Sequence, residues 1–295
     1  MERETKTETS DTGVGTSFDP VIRGALMVLF VVCSFIVFNV GGYNSFVPGD
    51  LVLIMRIAIA GILVLTTLVL YRTKGRDSVF SRLSCAFLFA SIGLLLAFFF
   101  GKWYQLIPGL STDTVEGTTI AKVAEVIPIV FAILVGTWLI ERSYSPVFLT
   151  GGYRKRSLKL GILLSPVALN PFFAMGGLGL SADIVTILGW LPWLCVFGLS
   201  NGFMEELMIR GLFLKKYDSL FGQRQSLVLT SVIFAIFHQA VMQYTDIATF
   251  TAFLVVTFLL GLVWGYIMQK SDSIWGAVIA HAIADILLLI TVFGV

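Results

Sequence analysis

Charge is what this chain lacks. Of its 295 residues only 13% are Asp, Glu, Lys or Arg, against 57% hydrophobic, and the mean hydropathy is +0.92. Soluble domains carry about a quarter charged residues, so too few are present here to coat one. Disorder is excluded by the same shortage. Twenty basic residues offset eighteen acidic ones and leave +2, which gives no field for a nucleic acid. Cysteine is scarce too. Cys33, Cys85 and Cys195 stand far apart with no CxxC spacing, which excludes a disulfide framework and a zinc knuckle and leaves small packing residues. Only two histidines occur, His238 and His281.

What the chain has is long apolar runs. A membrane helix needs about 20 apolar residues, and nine windows qualify: 21–40, 51–70, 83–100, 123–140, 160–180, 184–214, 226–244, 247–268 and 274–295. The expected fold is all-α, a polytopic transmembrane helical bundle of about nine spans. Eight result if the fifth window fails, because Pro166 and Pro171 interrupt it and Gly176, Gly177 and Gly179 crowd its end. Residues 1–19 form a polar tail, expected to be disordered and unlike a signal peptide.

Orientation follows from the loops. With the tail in the cytosol, 17 of the 20 Lys and Arg residues fall on the inner side, and only Lys102 and Lys122 fall outside. Arg56, within the second span, is left unassigned. That asymmetry places the N-terminus inside and the C-terminus outside. Arg56 and Glu125 sit near span ends, where long side chains reach water and need no function. The Phe-rich stretch 88–100 reads as a lipid-facing surface. Gly261 and Gly265 form a small-xxx-small pair suited to helix contact.

Ionisable groups deep in a span cost about 2.5–3.5 kcal/mol each on insertion scales. They concentrate in the last four windows: Glu205, Glu206 and Arg210 in NGFMEELMIRGLF, His238 in FAIFHQA, and His281 with Asp285 in HAIAD. Glu206 and Arg210 are four apart and can pair on one helix face, whereas Glu205 is turned about 140° from Arg210. His281 and Asp285 share a face in the same way. Measured from the basic residues at each helix end, Glu205 and His281 both lie about 15 Å deep and His238 roughly 20 Å. Three helices thus bring a carboxylate and two imidazoles to similar depth. Such a set suits water activation with an imidazole left to stabilise an oxyanion. Glu205, His238 and His281 could equally ligate zinc, although HExxH spacing is absent. Asn201, one turn before Glu205, reads as a helix-contact amide.

The order EExxxR, FxxxH (Phe234, His238) and HxxxD, with 33 residues from Glu205 to His238, resembles the CAAX-protease and bacteriocin-processing family of intramembrane endopeptidases, which includes the Ras-converting CAAX endopeptidase. The motifs run from about residue 201 to 286. The resemblance implies peptide-bond hydrolysis at a cytosol-facing cavity without a covalent intermediate. It makes Glu205 the general base assisted by His238, places His281 and Asp285 at an oxyanion site, and gives Glu206 and Arg210 a supporting role. Family members often carry Asn where Asp285 stands, and Asp donates a hydrogen bond only when protonated. The expected organisation is a cytosolic tail (1–19), an N-terminal four-helix region (20–157) and a catalytic core (158–295). No cofactor is the expectation, with zinc the alternative. The partners are a membrane-associated peptide or protein and the lipid bilayer. Two other functions use the same residues: a proton-coupled transporter built on Glu205, His238 and His281, and a non-catalytic membrane scaffold.

Overall fold

Aspartate, serine and threonine set the helix starts. Asp19, Ser78, Thr114, Asp183 and Asp246 each accept a backbone N–H in the first turn of the helix that follows, the usual work of an N-cap. The computed structural model describes residues 18–43, 47–169, 172, 179–239 and 246–294. The long helices are α1 (Pro20–Ser34), α2 (Val52–Lys74), α3 (Val79–Phe100), α4 (Val115–Glu141), α5 (Arg154–Leu164), α6 (Ile184–Glu205), α7 (Leu214–Phe221), α8 (Gln223–His238), α9 (Ile247–Ser271) and α10 (Trp275–Gly294). Two π turns extend them, Phe35–Val40 after α1 and Glu206–Gly211 after α6. No strand occurs among the described residues.

Seven stretches are long and apolar enough to cross a membrane: Pro20–Val40, Val52–Lys74, Val79–Leu106, Val115–Glu141, Ile184–Phe221, Ile247–Ser271 and Trp275–Gly294. Two expected spans are shorter. The fifth is helical as α5 and then tightens into a 3₁₀ turn, Ser165–Ala168, around Pro166. Its remainder, 170–180, lies mostly outside the described residues. The seventh is α8, which ends at His238 after 16 residues. Residues 240–245, the rest of that window, are also outside the described residues, as is the expected tail over 1–17.

Packing explains how α8 stays short and still belongs to the bundle. Leu229, Ile233, Phe234 and Phe237 are buried, and so are its hydroxyls Ser226, Thr230 and Ser231. Thr230 and Ser231 donate back to carbonyls of their own helix, at 2.9 Å and 2.7 Å, so both hydroxyls are satisfied within it. α8 lies on α9, α6 runs along α10, α3 is sandwiched between α2 and α4, and α4 packs on α6. A continuous aromatic cluster (Phe38, Phe87, Phe213, Tyr217, Phe237) ties α1 and α3 to α7 and α8. The α6–α10 contact depends on glycine: a Cβ at Gly198 would stand 2.6 Å from the Ala282 carbonyl oxygen. That close approach sets Glu205 beside His281.

Two sequence expectations change. Residues 88–100 are not a lipid face over most of their length, because Ala90, Ser91, Gly93 and Leu94 are buried between neighbouring helices; only Phe99 and Phe100 are exposed. Lys122 is not in a loop. The Thr114 cap starts α4 well before the apolar window, so Lys122 sits inside the helix and pairs with Glu125 at 2.8 Å. Arg56, half-buried near the start of α2, donates its guanidinium to the carbonyls of Leu94, at 2.9 Å, and Gly42. The three cysteines are free, with Cys85 buried.

Candidate active site

The six residues singled out by sequence come together. Glu205 ends α6, Glu206 and Arg210 lie in the π turn that follows, His238 ends α8, and His281 and Asp285 lie one turn apart on α10. A π turn spreads the backbone ring by one residue and is frequent at functional sites. Here it follows directly on Glu205, so two successive carboxylates leave the helix towards different partners.

Glu206 is fully buried and takes two donors on one oxygen. Arg210 Nη1 donates to its Oε1 at 2.6 Å, and His281 Nδ1 donates to the same oxygen at 2.9 Å. Arg210, also fully buried, reaches the Gly261 carbonyl at 3.4 Å and lies over the Phe234 ring, 4.4 Å from its centroid. Gly261, noted in the sequence as a helix-contact residue, thus also accepts from Arg210.

Glu205 stands differently. Its Oε2 lies 3.4 Å from His238 Nε2 and 3.6 Å from His281 Nε2, beyond an ordinary hydrogen bond. That oxygen is buried and has no hydrogen-bond partner among the described residues. His238 Nδ1 donates to the Phe234 carbonyl at 2.9 Å, which fixes its tautomer and leaves the Nε2 lone pair turned towards Glu205. An orphan carboxylate oxygen facing two imidazole edges is the setting of a bound water.

His281 is held on all sides. Its Nε2 lies 3.6 Å from Asp285 Oδ1, and the Trp264 indole stacks on its ring at 3.9 Å and 12°. The other Asp285 oxygen, Oδ2, accepts from Asn201 Nδ2 at 3.0 Å. One Asp285 oxygen therefore faces the His281 ring and the other accepts from Asn201. Asn201 is indeed a helix-contact amide, joining α6 to α10. Trp264 was not singled out in the sequence; one Trp among so many apolar aromatics carries no contrast. A small cavity of about 60 Å³ opens beside His238, His281 and Asp285, walled by Phe253, Val256, Leu260 and Leu288. That is room for a few waters.

The zinc alternative draws on the same three residues. Among the described residues no group of three or more His, Cys, Asp or Glu side chains is arranged to hold a metal ion. Glu205, His238 and His281 do meet, but His281 is engaged by Glu206 at one nitrogen and faces Asp285 as well as Glu205 at the other.

A family model described as Rce1-like, type II CAAX prenyl endopeptidase Rce1-like, matches residues 187–287. That segment is similar to the Rce1-like family. It holds all six site residues together with Asn201, Phe234 and Trp264, and covers about a third of the chain. No curated protein and no solved structure matches the chain. With its seven apolar helices the chain is an integral, multi-pass membrane protein, and one segment of it is similar to the CAAX-type endopeptidases.

Proposed function

We propose that the chain is an intramembrane endopeptidase that cleaves membrane-associated peptides or proteins by Glu/His water activation. The observation that carries this reading is the orphan Glu205 oxygen set between His238 and His281. Water held there hydrogen-bonds to Glu205 Oε2 and His238 Nε2. As the water oxygen attacks the scissile carbonyl, Glu205 takes its proton, and the negative charge that develops on the carbonyl oxygen meets the N–H of His281. Collapse of the tetrahedral species breaks the C–N bond, and the proton on Glu205 passes to the leaving nitrogen. Glu206 and Arg210 anchor the His281 ring from below, while Asp285 and Asn201 set its edge.

No step calls for a metal. CAAX-type processing or maturation of bacteriocin-like peptides would both use this chemistry, in a site approached from the cytosol. The test is cleavage of a fluorogenic peptide panel by purified protein, with Glu205→Ala alongside and zinc measured in the same preparation. Loss of general base catalysis lowers turnover by about 10²–10⁴-fold. Equal cleavage by wild type and variant, or no cleavage by either, defeats the reading; stoichiometric zinc together with chelator sensitivity defeats its metal-free form. A proton-coupled transporter would instead lose substrate-dependent proton flux in the same variant.

A further inference from the structure

α1 ends in the π turn Phe35–Val40, and that turn lies against the end of α8 that carries His238. The other π turn of the chain, Glu206–Gly211, holds two of the site residues; in this one the polar side chain is Asn39. It is 2% exposed, and its Nδ2 donates to the Ile236 carbonyl at 3.0 Å and reaches the Phe237 carbonyl at 3.4 Å. The last four carbonyls of a helix have no partner within it, so an amide from a different helix closes the last turn of α8. Two rings grip the same turn. Phe38 and Tyr43 both meet Phe237 edge-on, with centroids 6.0 Å and 5.2 Å apart. Arg56 of α2 donates to the carbonyl of Gly42, the residue before Tyr43, and so holds the chain that follows the π turn.

His238 is the last residue of α8, where a helix frays most readily. Its Nδ1 donates to the Phe234 carbonyl one turn back at 2.9 Å, and its Nε2 lies 3.4 Å from Glu205 Oε2. The imidazole therefore takes its direction from the backbone of that final turn. Gln239 bonds to the same turn, from Nε2 to the Ala235 carbonyl at 2.9 Å and from its backbone N–H to the Ile236 carbonyl at 3.2 Å. Those two bonds tie the turn to itself. Asn39 is different, because it ties the turn to a separate helix and so fixes where the end of α8 stands in the bundle.

We infer that Asn39 is a positioning residue for His238: its amide pins the last turn of α8 so that the imidazole Nε2 stays turned towards Glu205. The consequence for turnover rests on the endopeptidase reading of the site. Asn39 touches no reacting atom, and its effect passes through the backbone of Ile236 and Phe237. It lies outside the Rce1-like segment 187–287, so the inference gives the first helix of the chain a part in a site whose other members all lie within that segment.

The chain has only two histidines, so nitrogen-labelled histidine in the full chain in detergent gives two imidazole spectra, which His238→Gln assigns. At a pH well above the usual histidine range, wild-type His238 is expected as one tautomer, protonated at Nδ1. Asn39→Leu keeps a side chain of similar size without the donor. In that variant the His238 signal is expected to split or average between tautomers while the His281 signal stays in place. An unchanged His238 signal overturns the inference, and so does an equal change in both histidines, which would mean a general loosening. In turnover, Asn39→Leu is expected to lower kcat about tenfold or more with KM near that of wild type, as for other groups that orient a working imidazole. Added to His238→Ala, it should cost nothing further; a second loss of similar size would give Asn39 a role that does not run through His238 and overturn the inference. If Asn39→Leu does not fold, Asn39→Ser, whose hydroxyl is too short to reach both carbonyls, is read in the same measurements. Lack of cleavage by wild type would defeat the endopeptidase reading, and the His238 spectrum would still decide the positioning.

Discussion

Glu206 Oε1 accepts from Arg210 and His281 together, so one oxygen joins two donors that sit on separate helices. Both members of the Glu206–Arg210 pair are fully buried, and removing one partner of such a pair typically costs about 3–5 kcal/mol. Arg210→Gln should therefore lower the thermal midpoint of the purified protein and reduce cleavage together with it. Asp285 gives a sharper contrast. Because its two oxygens face His281 and Asn201, replacing one of them with an amide nitrogen sets donor against donor. Asp285→Asn is expected to lower kcat about tenfold or more, with KM and the thermal midpoint little changed, on the scale seen for partners that orient a functional imidazole. If Asp285 itself donated to the oxyanion, Asn would match or improve turnover, and steady-state kinetics reads the difference directly.

At the scale of elements, close helix contacts place the chemistry. α5 crosses α10 at Gly276, where a Cβ would fall 1.9 Å from the Ser157 carbonyl oxygen. Gly276→Ala must push α10 away from α5 and carry His281, five residues on, out of line with Glu205. Loss of most cleavage is expected, with a thermal midpoint several degrees lower. The site residues were legible from sequence because each is a polar group in an apolar window, where cost implies purpose. Helix geometry alone separated Glu205 from the Glu206–Arg210 pair. The π turn was not legible, since nothing in ELMIRG distinguishes it from ordinary helix. Nor was the Trp264 stack, because its partner comes from a different helix. Lys122 and Glu125 were misplaced for a related reason: hydropathy windows trim polar helix ends, and α4 begins earlier than its apolar run.

For the whole molecule, antiparallel connectivity puts the basic loops after α2 and α4 at one end, together with Lys215 and Lys216 of α7. If the basic end is cytosolic, reporter fusions after Lys74 and after Arg142 should report the cytosol, and one at Gly109 the opposite side. The reverse pattern would invert the face from which substrate enters. The order of the helices along the chain has a further consequence, for synthesis. Glu205, Glu206 and Arg210 precede His238, Trp264 and His281, so they enter the membrane before their inter-helix partners exist. Pairing Glu206 with Arg210 inside one helix neutralises two of the three charges at the moment of insertion. Only Glu205 then waits for the last helices, and the assembly of the bundle ends with the step that completes its candidate active site.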